Sequence, residues 1–188
     1  VGGAGHAGRA GADDADLEAV LLDIGDVGPA FTDRRIADET LQPADGDGFD
    51  FIALGDMPYG PDLLAGPLYR RLIHRINGLG LRFAIHVGDF KDGTAACSDA
   101  DYQLQWQHFQ RFAGALVYTP GDNDWLDCHR RGDDPLERLQ ALRQRFFAGA
   151  TSLGQRPMAL ERQPDSMPAH AAYRENQRWQ HQGVVFAT

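Results

Sequence analysis

The chain has 188 residues, about one domain's worth of core, and its 43% hydrophobic and 24% charged residues are those of an ordinary globular protein. Eighteen Lys+Arg against 27 Asp+Glu leave a formal charge of −9, and no basic cluster interleaved with aromatics offsets it, which argues against binding to nucleic acid. No apolar run approaches the ~18 residues of a bilayer-spanning helix, so no membrane span is expected; an anionic substrate stays open to an acidic chain whose carboxylates hold cations.

Residues 1–48 are rich in Gly, Ala and Asp with one apolar patch, Ala19 to Ile24, and read as a poorly ordered arm. Gly3-Ala4-Gly5-His6-Ala7-Gly8 has the letters of a dinucleotide fingerprint, but no strand pattern precedes it, and a linker is the simpler reading. From Phe49 the texture changes. Phe51–Leu54, Phe83–Val87 and Ala115–Tyr118 are short apolar runs of the kind buried on both faces of a sheet. Between and after them come three helical patterns. The first carries Leu64, Leu68, Leu72 and Ile76 and stops at Asn77-Gly78. Ser98 and Asp101 form a capping box for the second, with Tyr102, Trp106, Phe109 and Ala113 on one face as core packing. The third starts at Asp134-Pro135 and continues through Leu139, Leu142 and Phe146. Strand candidates follow at Met158 to Arg162 and Val184 to Thr188, the latter reading as a chain truncated at its C-terminus. Alternating strands and helices predict βαβ units, an α/β fold with parallel strands whose C-terminal ends face the same way.

Each of the three apolar runs leads into the same dipeptide: Gly55-Asp56, Gly88-Asp89 and Gly121-Asp122, with the aspartates 33 residues apart each time. In a parallel sheet these aspartates converge at the crevice where ligands bind, and close carboxylates call for cations to neutralise them. Gly-Asp is also a common strand-end turn; a fourth, Gly25-Asp26, lies in the arm.

Gly88-Asp89-Phe90-Lys91-Asp92-Gly93 has the G-D-x-x-D form of the second motif of the calcineurin-like metallophosphoesterases, and Gly121-Asp122-Asn123-Asp124 stands where they have G-N-H-D/E. From residue 49 onward the chain resembles the N-terminal part of that superfamily's domain. The resemblance implies half of an α/β/β/α sandwich with buried strands flanked by helices, and two divalent metal ions (Mn, Fe, Zn or Mg). It implies a hydrolase that cleaves a phosphate ester with a metal-activated water. By the same resemblance Asp56 would bind the first metal, Asp89 would bridge both and Asp122 would bind the second. Asp92 would fix the geometry of its loop or of a ligand, and Asn123 occupies the place of the histidine that assists the leaving group. His129, six residues on, is a candidate to stand in for that histidine.

The pattern departs from the superfamily in its first and third motifs, and the later histidine ligands of that superfamily, G-H-x-H among them, have no match, His170 and His181 standing isolated. Asp56-Met57-Pro58-Tyr59 has proline where D-x-H has a histidine ligand, leaving Tyr59 or a later residue to supply it. Asn123 hydrogen-bonds but donates no proton at neutral pH. These departures support an alternative, a non-catalytic domain that keeps the fold. Aspartyl-phosphate chemistry requires D-x-D after the first strand and meets Pro58 there, and no P-loop sequence occurs. His86 reads as a packing histidine within its strand, and Lys91 as a substrate contact or a solvated partner of Asp92. Cys97 and Cys128, on loops at one edge of the sheet, are either two thiols or a disulfide, and a disulfide would imply an oxidising compartment and so export.

Overall fold

The computed structural model describes residues 19–24, 32–35 and 48–188. Six strands form one sheet: β1 (Ala19–Ile24), β2 (Thr32–Arg35), β3 (Phe49–Leu54), β4 (Phe83–His86), β5 (Ala115–Tyr118) and β6 (Leu153–Gly154). They stand in the order β2-β1-β3-β4-β5-β6. The centre, β3-β4-β5, is parallel, and β1 and β6 flank it antiparallel. Two helices supply the crossovers, α1 (Asp62–Gly78) and α2 (Asp99–Phe109), and α3 (Pro135–Phe146) follows β5. A second sheet, β7 (Glu161–Arg162), β8 (Gln177–His181) and β9 (Val184–Ala187), is antiparallel throughout.

Period-2 alternation of the central strands sorts the core into two layers. Ile52, Leu54, Ala84, Leu116 and Tyr118 face the helices and pack against Tyr69, Leu72, Ile73 and Ile76 of α1, Tyr102 and Phe109 of α2, and Leu142 and Phe146 of α3. Their neighbours Phe51, Phe83, Ala115 and Val117 face the other way, onto Leu160, just before β7, and onto Trp179 and the flanking Phe186 of the second sheet. The molecule is therefore mixed α/β in three layers, helices, sheet and sheet, with the central strands covered on both faces. Among the described residues no helix is long and apolar enough to cross a membrane.

The helix starts follow the caps in the sequence. Ser98 and Asp101 form the reciprocal capping box of α2, and Asp134 caps α3, its side chain accepting from the Leu136 N–H with Pro135 at the first position. The face of α1 differs from the expectation. Leu64 and Leu68 are exposed, and the buried stripe is Tyr69, Leu72, Ile73 and Ile76. Steps of four residues drift around a 3.6-residue helix by about 40° each, so a stripe that meets the sheet at Ile76 has rotated into solvent by Leu64. The span 1–48, read as a poorly ordered arm, lies mostly outside the described residues; within it, Ala19–Ile24 and Thr32–Arg35 are strands of the main sheet, β1 pairing with β3 along its whole length. The fingerprint-like Gly3 to Gly8 and the Gly25-Asp26 pair lie outside the described residues.

Candidate functional site

Strand register aligns Leu54 with His86 and His86 with Tyr118. From that level Asp56 stands two residues on, Asp89 three and Asp122 four, so the three Gly-Asp turns open on one rim with a loop start that lengthens by one residue from strand to strand. Backbone bonds tie strand ends and turns together: the Val87 N–H donates to the Leu54 carbonyl (2.8 Å), the Asp56 N–H to the Gly88 carbonyl (3.1 Å) and the Thr119 N–H to the His86 carbonyl (3.0 Å). Asp56 and Asp89 both adopt left-handed backbone, φ 56° and 54°. Aspartate tolerates this region better than most residues, and such outliers gather at functional turns. Gly88 admits no side chain, because at φ 98° its β-carbon would lie 2.1 Å from the Gly121 amide nitrogen.

A single backbone amide links two of the carboxylates. The Asn123 N–H lies 3.1 Å from Oδ1 of Asp89 and 3.1 Å from Oδ1 of Asp122. Burial raises the pKa of Asp89, the Asn123 amide opposes that rise, and the negative charges of Asp122, Asp56 and Asp127 add to it. Tyr59 joins the third: its hydroxyl donates to Oδ1 of Asp56 (3.1 Å) and accepts from Nδ2 of Asn123 (3.3 Å). Its phenol is pushed up first by burial, then by the Asp56 bond and the charges of Asp56 and Asp89. A hydrogen-bonded chain thus runs from Asp56 through Tyr59 and Asn123 to Asp89 and Asp122.

Asp92 folds its own loop. Its Oδ1 accepts from the Thr94 N–H (2.7 Å) and hydroxyl (2.5 Å), and these bonds depress its pKa. His129 is exposed on the 3₁₀ segment Leu126–Arg131, where its Nδ1 donates to the Leu126 carbonyl at 2.8 Å. Lys91, the chain's single lysine, is buried and reaches the carbonyls of Asp92 (3.3 Å) and Ala95 (3.5 Å), so it packs inward instead of standing solvated beside Asp92. Cys97 and Cys128 form a disulfide that joins the loop behind Asp89 to the segment behind Asp122.

His86 is fully buried as the last residue of β4 and connects two turns. Its Nδ1 accepts from the Gly88 N–H (3.2 Å), which leaves the proton on Nε2 to donate to the Met57 carbonyl (3.2 Å). Burial pulls its pKa down to about 4, and the Met57 carbonyl works weakly against that. Asp124 is the polar residue at the site to which the sequence assigned no task. Its carboxylate, fully buried, accepts from the N–H groups of Asp89 (3.0 Å), Phe90 (2.9 Å) and Gly121 (2.9 Å) and from the Tyr118 hydroxyl (2.8 Å). Burial lifts its pKa to about 6 against these bonds. The only signal for it in the sequence was its place at the end of Gly121-Asp122-Asn123-Asp124.

The donors at the rim are all oxygen: three carboxylates, the Asn123 amide and the Tyr59 phenol. That set suits a hard divalent cation in kind, and the mutual repulsion felt by Asp89 is what a cation would relieve. In number the set falls short. Among the described residues no group of three or more His, Cys, Asp or Glu side chains gathers closely enough to hold a metal ion by itself. Comparisons with known protein families, with curated proteins and with solved structures find no match for this chain.

Proposed function

We propose that the rim formed by Asp56, Asp89 and Asp122 belongs to a centre that hydrolyses a phosphate ester with divalent metal ions and water. The observation that carries this reading is the convergence of three Gly-Asp turns at the ends of three adjacent parallel strands, with Asp89 and Asp122 sharing the Asn123 backbone N–H and Asp56 joined to the Asn123 side chain through Tyr59. The layer order of helices, sheet and sheet agrees with one half of a calcineurin-like phosphoesterase sandwich. Bound divalent ions would polarise the phosphoryl oxygens and lower the pKa of water. The protein's own part is positional. Asp56, Asp89 and Asp122 would hold the cations, and Tyr59 restrains Asp56 and Asn123 so that the Asn123 amide stays turned toward the rim. Asp92 fixes the loop behind Asp89. A departing alkoxide would need a proton from His129 or from solvent, because Asn123 has none to give at neutral pH. The Cys97–Cys128 disulfide supports an oxidising compartment for the folded chain.

The test is release of phosphate from p-nitrophenyl phosphate by the full chain. Release that requires Mn²⁺, stops with chelator and returns with added Mn²⁺ supports the proposal; release indifferent to chelator overturns it. A second reading is a non-catalytic domain with the same fold, favoured by the absence of a three-ligand group among the described residues and by Pro58 in the place of a histidine ligand. Metal binding without turnover selects it.

A further inference from the structure

We propose that Asp124 is the positioning residue that sets the spacing of Asp89 and Asp122, an inference that rests on the metal-site reading above. Asp122 points to solvent, whereas Asp124, two residues later, is fully buried although it carries a carboxylate. A buried carboxylate is retained only where its oxygens are satisfied, and here both are. Oδ1 takes the Phe90 N–H, while Oδ2 takes the Asp89 N–H, the Gly121 N–H and the Tyr118 hydroxyl.

These donors come from two different turns. Asp89 and Phe90 follow β4, and Gly121 follows β5, so one side chain holds the backbone before Asp122 against the backbone of Asp89. The clasp is anchored twice more. Tyr118, the last residue of β5, is itself fully packed, and the Asp124 carbonyl accepts from the Tyr102 hydroxyl of α2 at 2.6 Å. The Asn123 N–H, next to Asp124 in the chain, also joins the two turns, through the carboxylates of Asp89 and Asp122.

Asparagine is nearly isosteric but turns an NH₂ group toward amides that need an acceptor, so Asp124→Asn reverses part of the clasp without removing volume. Groups that orient metal-binding side chains from behind typically cost about 10–100-fold in metal affinity when changed. The test measures Mn²⁺ binding to the full chain directly, by loss of the free-ion EPR signal, alongside turnover of p-nitrophenyl phosphate. Leu142→Ala, a core change on α3 away from the rim, serves as a destabilised control. The expected result is a folded Asp124→Asn protein with Mn²⁺ affinity about tenfold or more below wild type, and a Leu142→Ala protein of equal or lower thermal midpoint that keeps its affinity. Unchanged affinity in Asp124→Asn overturns the proposal, as does an equal loss in Leu142→Ala. Should Asp124→Asn fail to fold, Tyr118→Phe removes one of the four bonds, and the same loss of affinity, in smaller degree, decides for the proposal or, if missing, against it. Mn²⁺ bound by wild type without turnover, and weakened by Asp124→Asn, refutes hydrolysis while supporting the positioning role. Failure of wild type to bind Mn²⁺ at all overturns both.

Discussion

A β-carbon on Gly121 would lie 2.0 Å from Oδ1 of Asp89 and 2.8 Å from its backbone nitrogen. The two turns therefore approach as closely as atoms allow, and the carboxylate of one occupies the space that a side chain on the other would need. Gly121→Ala must push Asp89 off the Asn123 amide. Activity toward an aryl phosphate is expected to fall by about tenfold or more, with about 1–3 kcal/mol lost in urea unfolding from the overpacked contact. Gly78 is the control: nothing lies within 4 Å of its β-carbon position, and it closes α1. Gly78→Ala should keep activity and raise stability by about 0.4–1 kcal/mol.

Tyr59 is 40% exposed, so its hydroxyl matters for the site more than for the core. Tyr59→Phe deletes the bonds to Asp56 and Asn123. Stability should change by no more than about 0.5 kcal/mol, as for other exposed substitutions, while kcat falls. Steady-state kinetics with a thermal melt separates the two effects; unchanged kcat would remove Tyr59 from the site.

His86 predicts a pH dependence. Its folded pKa is about 4 against an ordinary 6.5 because burial disfavours the charged ring. Between those values the unfolded chain carries a proton that the folded chain refuses, so unfolding takes up a proton. This contribution to stability is full above about pH 6.5 and is lost as the pH falls toward 4, on the order of 3 kcal/mol in all. Asp124, raised to about 6 by burial, acts in the opposite sense over part of that range. Comparing wild type with His86→Gln isolates the histidine, and the variant should have the shallower rise of stability with pH. In NMR the His86 ring should stay neutral from pH 8 to 5.

The Cys97–Cys128 disulfide closes a loop with a sequence separation of 31 residues that contains all of α2 and β5. Loop-closure arithmetic gives about 3–4 kcal/mol for such a link. Cys97→Ala with Cys128→Ala should lower unfolding free energy by about that amount in denaturant titration. Because the link joins the loops behind Asp89 and Asp122, the folded double variant should also hold Mn²⁺ more weakly.

What the sequence determined by itself was local. Continuous apolar runs located β3, β4 and β5, the capping residues located the starts of α2 and α3, and three Gly-Asp pairs marked where strands end. These features depend on residues within a few positions of one another, and periodicity and capping chemistry record them directly. The tertiary structure decided the rest. Leu64 and Ile76 look alike in a pattern of fours, but only the sheet's position on α1 selects the buried one. Ala19–Ile24 is a short apolar patch until its full register against β3 gives its backbone a partner. Asp122 and Asp124 are both acidic residues on one turn; one is exposed and the other fully buried because the amides of Asp89 and Phe90, more than 30 residues away, converge on the second. Such choices follow from strand register and layer packing, which bring distant segments within hydrogen-bonding distance and leave no trace in the spacing of the chain.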